Sequence, residues 1–284
     1  MGYIIISDLQ RAAKKNHYAL PHFLGGSMEM VVGQIKAAED AGSPIAIGFA
    51  PEVFHMVPME VSLPLISNAA ENARVPVAVQ LEHGRDFNTV MKAIQLGVTS
   101  VMYDGSSLPY EDNVFNTKEI VRTAHAMGIS VEAELGSVGG SALRDAVRKE
   151  SFLTDPEMVA DFVKKTGVDS LAISFGNVHG KYGGKPDLDY DRVKRICSMT
   201  DIPLVMHGGS GLTEVEYRKC IESGISTIHF YTGIAAGVWD HLVKSVDAGH
   251  ADPVYHELVA YTIDYFYRQT LRVIDMLKSR NRAG

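Results

Sequence analysis

Cysteine is scarce in this 284-residue chain: Cys197 and Cys220 are the only two, and neither stands in a CxxC or CxxH spacing. Two unclustered thiols exclude a disulfide framework and argue against thiolate metal binding. They fit a reducing compartment. Positive charge is not in surplus either. Lys and Arg total 27 against 34 Asp and Glu, a formal net charge of -7, so the electrostatic footprint of a nucleic-acid binder is missing. No apolar run approaches membrane-spanning length. The opening residues, Met1 to Asp8, lack the basic start and apolar stretch of a secretory signal. The expectation is a cytoplasmic protein with neither nucleic-acid nor membrane partners. No linker or shift of composition divides the chain, so residues 1–284 read as a single domain.

What is present is alternation. Hydrophobic residues make up 46% of the chain, ample for a buried core. Short apolar runs read as strands at Tyr18–Phe23, Pro44–Phe49, Pro76–Leu81, Ser100–Tyr103, Ser130–Glu134, Ser170–Phe175, Pro203–His207 and Thr227–Tyr231. Helical periodicity falls between them, at Met28–Ala41, Met59–Asn72, Phe87–Leu96, Asn113–Met127, Pro156–Thr166, Tyr190–Met199 and Glu214–Ser223. Gly97, Gly167 and Gly224 each follow a helical pattern, where glycine supplies the left-handed residue that ends helices. Pro44, Pro76 and Pro203 open strands, a position proline tolerates. Strands without polar alternation suit a parallel sheet covered on both faces. Eight βα units fit an α/β class fold, a closed (β/α)8 TIM barrel, better than an open doubly wound sheet. Ser7 is read as the cap of an N-terminal helix running through Lys15. Beyond Pro253 an extended C-terminal helix reaches Lys278. Its stripe of Ile263, Phe266, Thr270, Ile274 and Leu277 is expected to pack on the barrel or on another subunit.

Polar groups collect where the strands stop: His22, Glu82, His83, Asp104, Glu134, His179, His207 and His229. In a barrel these ends face one pocket. Three of them form His-Gly pairs, at His83, His179 and His207. Three neutral imidazoles with an open fourth position describe a catalytic zinc site. His55, His125, His241, His250 and His256 fall in helices or loops and read as surface residues. Gly208-Gly209-Ser210-Gly211 follows a strand and precedes a helix, an arrangement that offers backbone N–H groups to an anion such as phosphate. Tyr231-Thr232-Gly233 is the matching loop after strand eight. Two glycine-rich stretches, 136–152 and 180–186, break the rhythm and read as mobile loops.

These motifs jointly resemble the class II, zinc-dependent ketose-bisphosphate aldolases, which include fructose- and tagatose-bisphosphate aldolases. The likeness rests on Gln80-Leu81-Glu82-His83-Gly84, Tyr103-Asp104-Gly105-Ser106 and Val131-Glu132-Ala133-Glu134-Leu135-Gly136. It continues in Gly176-Asn177-Val178-His179-Gly180 and Leu204-Val205-Met206-His207-Gly208-Gly209-Ser210-Gly211. The resemblance implies that His83, His179 and His207 hold Zn2+, with Asp104 and Glu134 at positions for a second or alternate metal. It implies that Gly180, Gly208, Gly209 and Ser210 bind the phosphate of dihydroxyacetone phosphate near a monovalent cation, Na+ or K+. Glu82 takes the place of the family's proton-transfer residue, normally aspartate. His229 replaces a substrate-contacting asparagine in the strand-eight motif, of which Thr232 is retained. Asp145 and Glu150 are the acids available on the long loop.

The implied activity is reversible cleavage of a phosphorylated ketose to dihydroxyacetone phosphate and an aldehyde, by a homodimer or homotetramer. Glutamate for aspartate and histidine for asparagine point to an altered sugar phosphate substrate. A barrel metallohydrolase or epimerase, and a metal-binding homologue without turnover, are the alternatives.

Overall fold

The structure, a computed structural model, describes residues 4–139, 152–180, 182, 184–249 and 254–284. Eight parallel strands close into a barrel: β1 (Leu20–Leu24), β2 (Ile45–Phe49), β3 (Val77–Gly84), β4 (Ser100–Tyr103), β5 (Ser130–Leu135), β6 (Ser170–Ile173), β7 (Leu204–Met206) and β8 (Ile225–Phe230). Each strand pairs with its neighbour in sequence, and β8 returns to β1. Around the outside run α2 (Met28–Ala41), α3 (Met59–Glu71), α4 (Phe87–Gln95), α5 (Tyr110–Ala126), α6 (Pro156–Thr166), α7 (Tyr190–Met199), α8 (Glu214–Ser223) and α9 (Thr232–Asp247). An N-terminal helix, α1 (Ile6–Lys15), and a long C-terminal helix, α10 (Tyr255–Met276), complete the (β/α)8 arrangement. Among the described residues no helix is long and apolar enough to cross a membrane.

Local chemistry explains the punctuation. Ser27, Asp86, Asp155, Asp189 and Thr213 cap α2, α4, α6, α7 and α8 through their side-chain oxygens. Gly97, Gly167 and Gly224 take φ of 91°, 74° and 119° after their helices, as expected. The three prolines stand one residue ahead of β2, β3 and β7, because proline has no N–H to give the ladder.

The main core lies between sheet and helices, where Val, Ile, Leu and Phe of the strands meet the inner faces of the outer helices. The barrel interior holds a small apolar layer of Met102, Ala172 and Val205. α1 plugs the N-terminal mouth with Ile6, Leu9 and Ala13 against Leu20, Ala46 and Ala78. Here the sequence expectation is corrected. Ser7 is not the cap; it lies inside α1, buried, and accepts a bond from Arg11. Ile6 must be helical to enter the plug, and its N–H finds Ser100 Oγ at 3.1 Å instead of a cap.

The C-terminal stripe packs within its own chain. α10 lies along α2, where a Cβ on Gly33 would stand 2.6 Å from the Ile263 carbonyl, so glycine sets how closely the helices approach. α9 is the element that periodicity did not separate. It begins at Thr232, so the expected loop after strand eight is the first turn of a helix. His241 is corrected with it: rather than standing at the surface, it packs 5.1 Å from the Tyr265 ring between α9 and α10. His55, His125 and His256 are exposed as expected. His250, Asp145 and Glu150 lie outside the described residues.

Candidate active site

The pocket opens at the C-terminal ends of the strands, a cavity of about 480 Å³. Its lining includes Glu82, His83, Asp104, Glu134, His179, Gly180, His207, Gly208, Ser210, His229 and Thr232. Of the residues singled out in the sequence, Gly209 is absent from the lining, and His22 lies beneath it.

β3 delivers two consecutive side chains to the same place. Alternation along a strand would send Glu82 and His83 to opposite faces. The pairing of β3 with β4 shifts register between Leu81 and Gly84, and His83 takes φ of 47°. A left-handed histidine is a strained conformation of the kind found at functional sites. The irregularity turns His83 inward beside Glu82.

His179 follows β6 on a loop that Asn177 ties down by donating to the His207 carbonyl at 3.0 Å. His207 stands directly after β7. Across the pocket, His83 Nε2 lies 3.1 Å from His207 Nδ1, and His179 Nε2 lies 3.4 Å from the same atom. The other nitrogen of each ring is engaged. His83 Nδ1 is 3.1 Å from Asp104 Oδ2, His207 Nε2 is 3.0 Å from Glu132 Oε1, and His179 hydrogen-bonds the Val138 backbone. Carboxylate or carbonyl partners of this kind fix a metal-ligating imidazole's tautomer and orientation.

The electrostatics follow from the packing. Burial opposes protonation of His83, but Asp104, Glu134 and Glu82 outweigh it and push the imidazole up to about 9. Burial, with His207 and His83 beside it, pushes His179 down to about 3. Burial opposes ionisation of Asp104, yet bonds from His83 and Ser106 hold its carboxyl well below the usual range. Burial and the Asp104 charge raise Glu134. One Glu134 oxygen accepts from Val138 N–H at 3.1 Å, and the other is buried without a hydrogen-bond partner. Positive charge is what this constellation calls for.

Deeper in the barrel, β1 and β8 place His22 directly opposite His229. Both imidazoles adjoin Glu82, at 3.1 Å and 3.3 Å. Glu132 and the His22 position carry roles that the sequence reading did not assign. The signal for Glu132 was two residues from Glu134, since side chains at i and i+2 share a strand face.

The glycine-rich turn is only partly as expected. Gly208 has φ of 68°, and a Cβ there would collide with the Val178 carbonyl, so glycine is required. The Gly209 N–H, however, is spent on the His229 carbonyl at 3.1 Å, and so is not aimed at a ligand. Ser210 packs beside Gly233, at the N-terminal turn of α9. The rim of the pocket therefore gains a second set of helix N-terminal N–H groups.

With this geometry in place, comparison with known proteins assigns the class. The model of the family described as class II fructose-bisphosphate aldolase matches residues 6–282. The chain is 37% identical over 235 residues to fructose-bisphosphate aldolase of Geobacillus stearothermophilus, covering 82% of each protein. It is 38% identical over 233 residues to sulfofructosephosphate aldolase of Alkalicoccus urumqiensis, covering 82% of this chain and 81% of the relative. The crystal structure of the YdjI aldolase from Escherichia coli K12 superposes with a TM-score of 0.89 at 32% identity, over 99% of this chain and 100% of that one. The chain belongs to the class II fructose-bisphosphate aldolase family, whose members are carbon–carbon lyases acting on sugar phosphates.

Proposed function

We propose that the protein is a Zn2+-dependent aldolase. It reversibly cleaves a phosphorylated ketose, of the ketose 1,6-bisphosphate type or a near relative, to dihydroxyacetone phosphate and an aldehyde. One observation carries the reading: three imidazoles turn one nitrogen each toward a shared point while their other nitrogens are engaged elsewhere. The donor spacings of 3.1 Å and 3.4 Å approximate the edge of a zinc tetrahedron, ~3.3 Å for Zn–N bonds of about 2.0–2.1 Å. His83, His179 and His207 would hold the ion, with Asp104 and Glu134 available to an alternate position beside His83. When bound, Zn2+ would supply a Lewis acid that polarises the ketose carbonyl and offsets the negative charge developing there.

The chain's own groups do the rest. Glu82, at the pocket floor, takes the proton from the hydroxyl beside the breaking carbon–carbon bond and returns it in condensation. Gly180, Gly208, Gly209 and Ser210, together with Thr232 at the start of α9, frame the phosphate end, near which a monovalent cation, Na+ or K+, would sit. Gly209 contributes its shape and close approach rather than its N–H. His229 contacts the substrate in place of asparagine. The altered Glu82 and His229 favour a ketose phosphate changed at its far end, and the sulfofructosephosphate aldolase relative makes a sulfonated sugar phosphate a natural member of the panel.

The test is a triose-phosphate assay of Zn2+-loaded protein with fructose, tagatose and sulfofructose phosphates. Triose release that EDTA abolishes and added zinc restores is expected. No triose from any ketose phosphate with the metal bound would refute the proposal.

A further inference from the structure

We infer that His22, Glu82 and His229 form a second, inner metal site that takes a divalent transition ion such as Zn2+. The site lies below the three-imidazole centre, on the barrel side of Glu82. It goes beyond the aldolase reading but shares Glu82 with it.

The ligand chemistry is apt. Two imidazoles and one carboxylate make a donor set used by zinc and other first-row ions. Ligating atoms from all three residues lie within 4.8 Å of one another, and all three residues are buried. The spacings approach those of a coordination polyhedron. His22 Nδ1 is 3.1 Å from Glu82 Oε1, 2.9 Å from His229 Nδ1 and 2.7 Å from His229 Nε2, and His229 Nδ1 is 3.3 Å from Glu82 Oε2. A zinc tetrahedron has edges of ~3.3 Å, so the imidazole–carboxylate spacings match an edge, and the two imidazoles stand closer than one and would part to admit the ion.

Two observations say that the cluster is not fully satisfied by its own contacts. Glu82 Oε1 and His22 Nε2 are buried without hydrogen-bond partners, although Oε1 is 3.1 Å from an imidazole nitrogen. His22 Nδ1 meets the His229 ring, but Glu82 Oε1 is close and misdirected for hydrogen bonding, as a carboxylate oxygen aimed at an ion would be. Leaving a buried carboxylate oxygen unpaired otherwise costs about 1–3 kcal/mol or more. The second observation is space. A Cβ on Gly48 would collide with Glu82 Oε1 and stand 2.9 Å from His22 Nε2, so β2 gives up a side chain where this cluster sits.

Charge points the same way. Glu82, Asp104, Glu132 and Glu134 surround the two clusters. Among the described residues, the Lys or Arg side chain recorded beside any of them is Arg85, 4.0 Å from Asp104 and largely exposed.

The test is metal stoichiometry, with no need of a substrate. Metal-free protein is loaded with Zn2+, dialysed, assayed for zinc per chain and crystallised for anomalous scattering at the zinc edge. Two ions per chain are expected, one among His83, His179 and His207 and one among His22, Glu82 and His229. His22→Ala and Gly48→Ala should each lose the inner ion and keep the outer. His22 does not line the pocket, so retention of the outer ion certifies the fold, and the parent's anomalous map decides the matter if a variant fails to fold. A single peak at the outer centre overturns the inference and leaves the aldolase reading standing. An inner peak without an outer one supports the inference and sinks that reading. An inner signal that survives His22→Ala, or that dialysis removes as an adventitious ion only, overturns the inference.

Discussion

The outer and inner histidine clusters draw on the same ends of the same strands, yet they are organised on different principles. In the outer one, His83, His179 and His207 line an open pocket, and each ring is steadied from behind by a carboxylate or the backbone. In the inner one, His22, Glu82 and His229 are buried in the barrel and steadied mainly by packing and strand register. The outer cluster has hydrogen-bonded supports and an open side, which is what exchange of substrate demands. The inner one lacks such supports and meets the pocket through Glu82 and His229, with His22 beneath, which suits a resident ion. The difference shows that proximity of histidines does not define a site's role; the partners of their outward nitrogens do.

The contrast can be broken by substitution. His179→Ala should have the largest effect, lowering zinc-dependent turnover by about 10³-fold, ~4 kcal/mol of lost transition-state stabilisation, while inner zinc is retained. The check is a steady-state assay beside metal analysis. Glu82→Gln comes next. It removes the proton-transfer group and should lower kcat by about 10²- to 10³-fold with outer zinc unchanged. A kcat within tenfold of the parent would remove Glu82 from the chemistry. Glu132→Gln takes the charge from behind His207 and should weaken outer zinc about 10- to 100-fold, as read by competition with a chelator. His125→Gln is the smallest. His125 pairs with Asp169 at 2.8 Å on the exposed side of the barrel. Stability should change by no more than about 0.5 kcal/mol, and metal content not at all.

Much of this architecture was legible in the sequence, because a barrel repeats its grammar. Apolar runs of strand length, glycine after helices and proline before strands recur, and β4, α2, α6, α7 and α8 fall where periodicity placed them. The His-Gly pairs were legible because glycine after a strand-end histidine answers a backbone need, as the Gly208 contact with Val178 shows. What was hidden depended on three dimensions. The partnership of His22 with His229 is a matter of register between the first and last strands, which lie far apart in the chain. The Gly209 N–H was lost to a carbonyl of the neighbouring strand, a competitor no local pattern reveals. α9 was hidden because Thr232-Gly233 reads as a turn, while its helical character comes from packing against α10. Ser7 looked like a cap, but the apolar plug needed one more helical residue ahead of it.

The slipped register in β3 has one further consequence. Because a single backbone kink brings His83 into the pocket beside Glu82, the two centres share one mechanical mount. Rim loops can lengthen or change composition to suit new sugars, and the separation between the two clusters stays a fixed dimension of the scaffold. Evolution could retune substrate choice here without renegotiating that dimension.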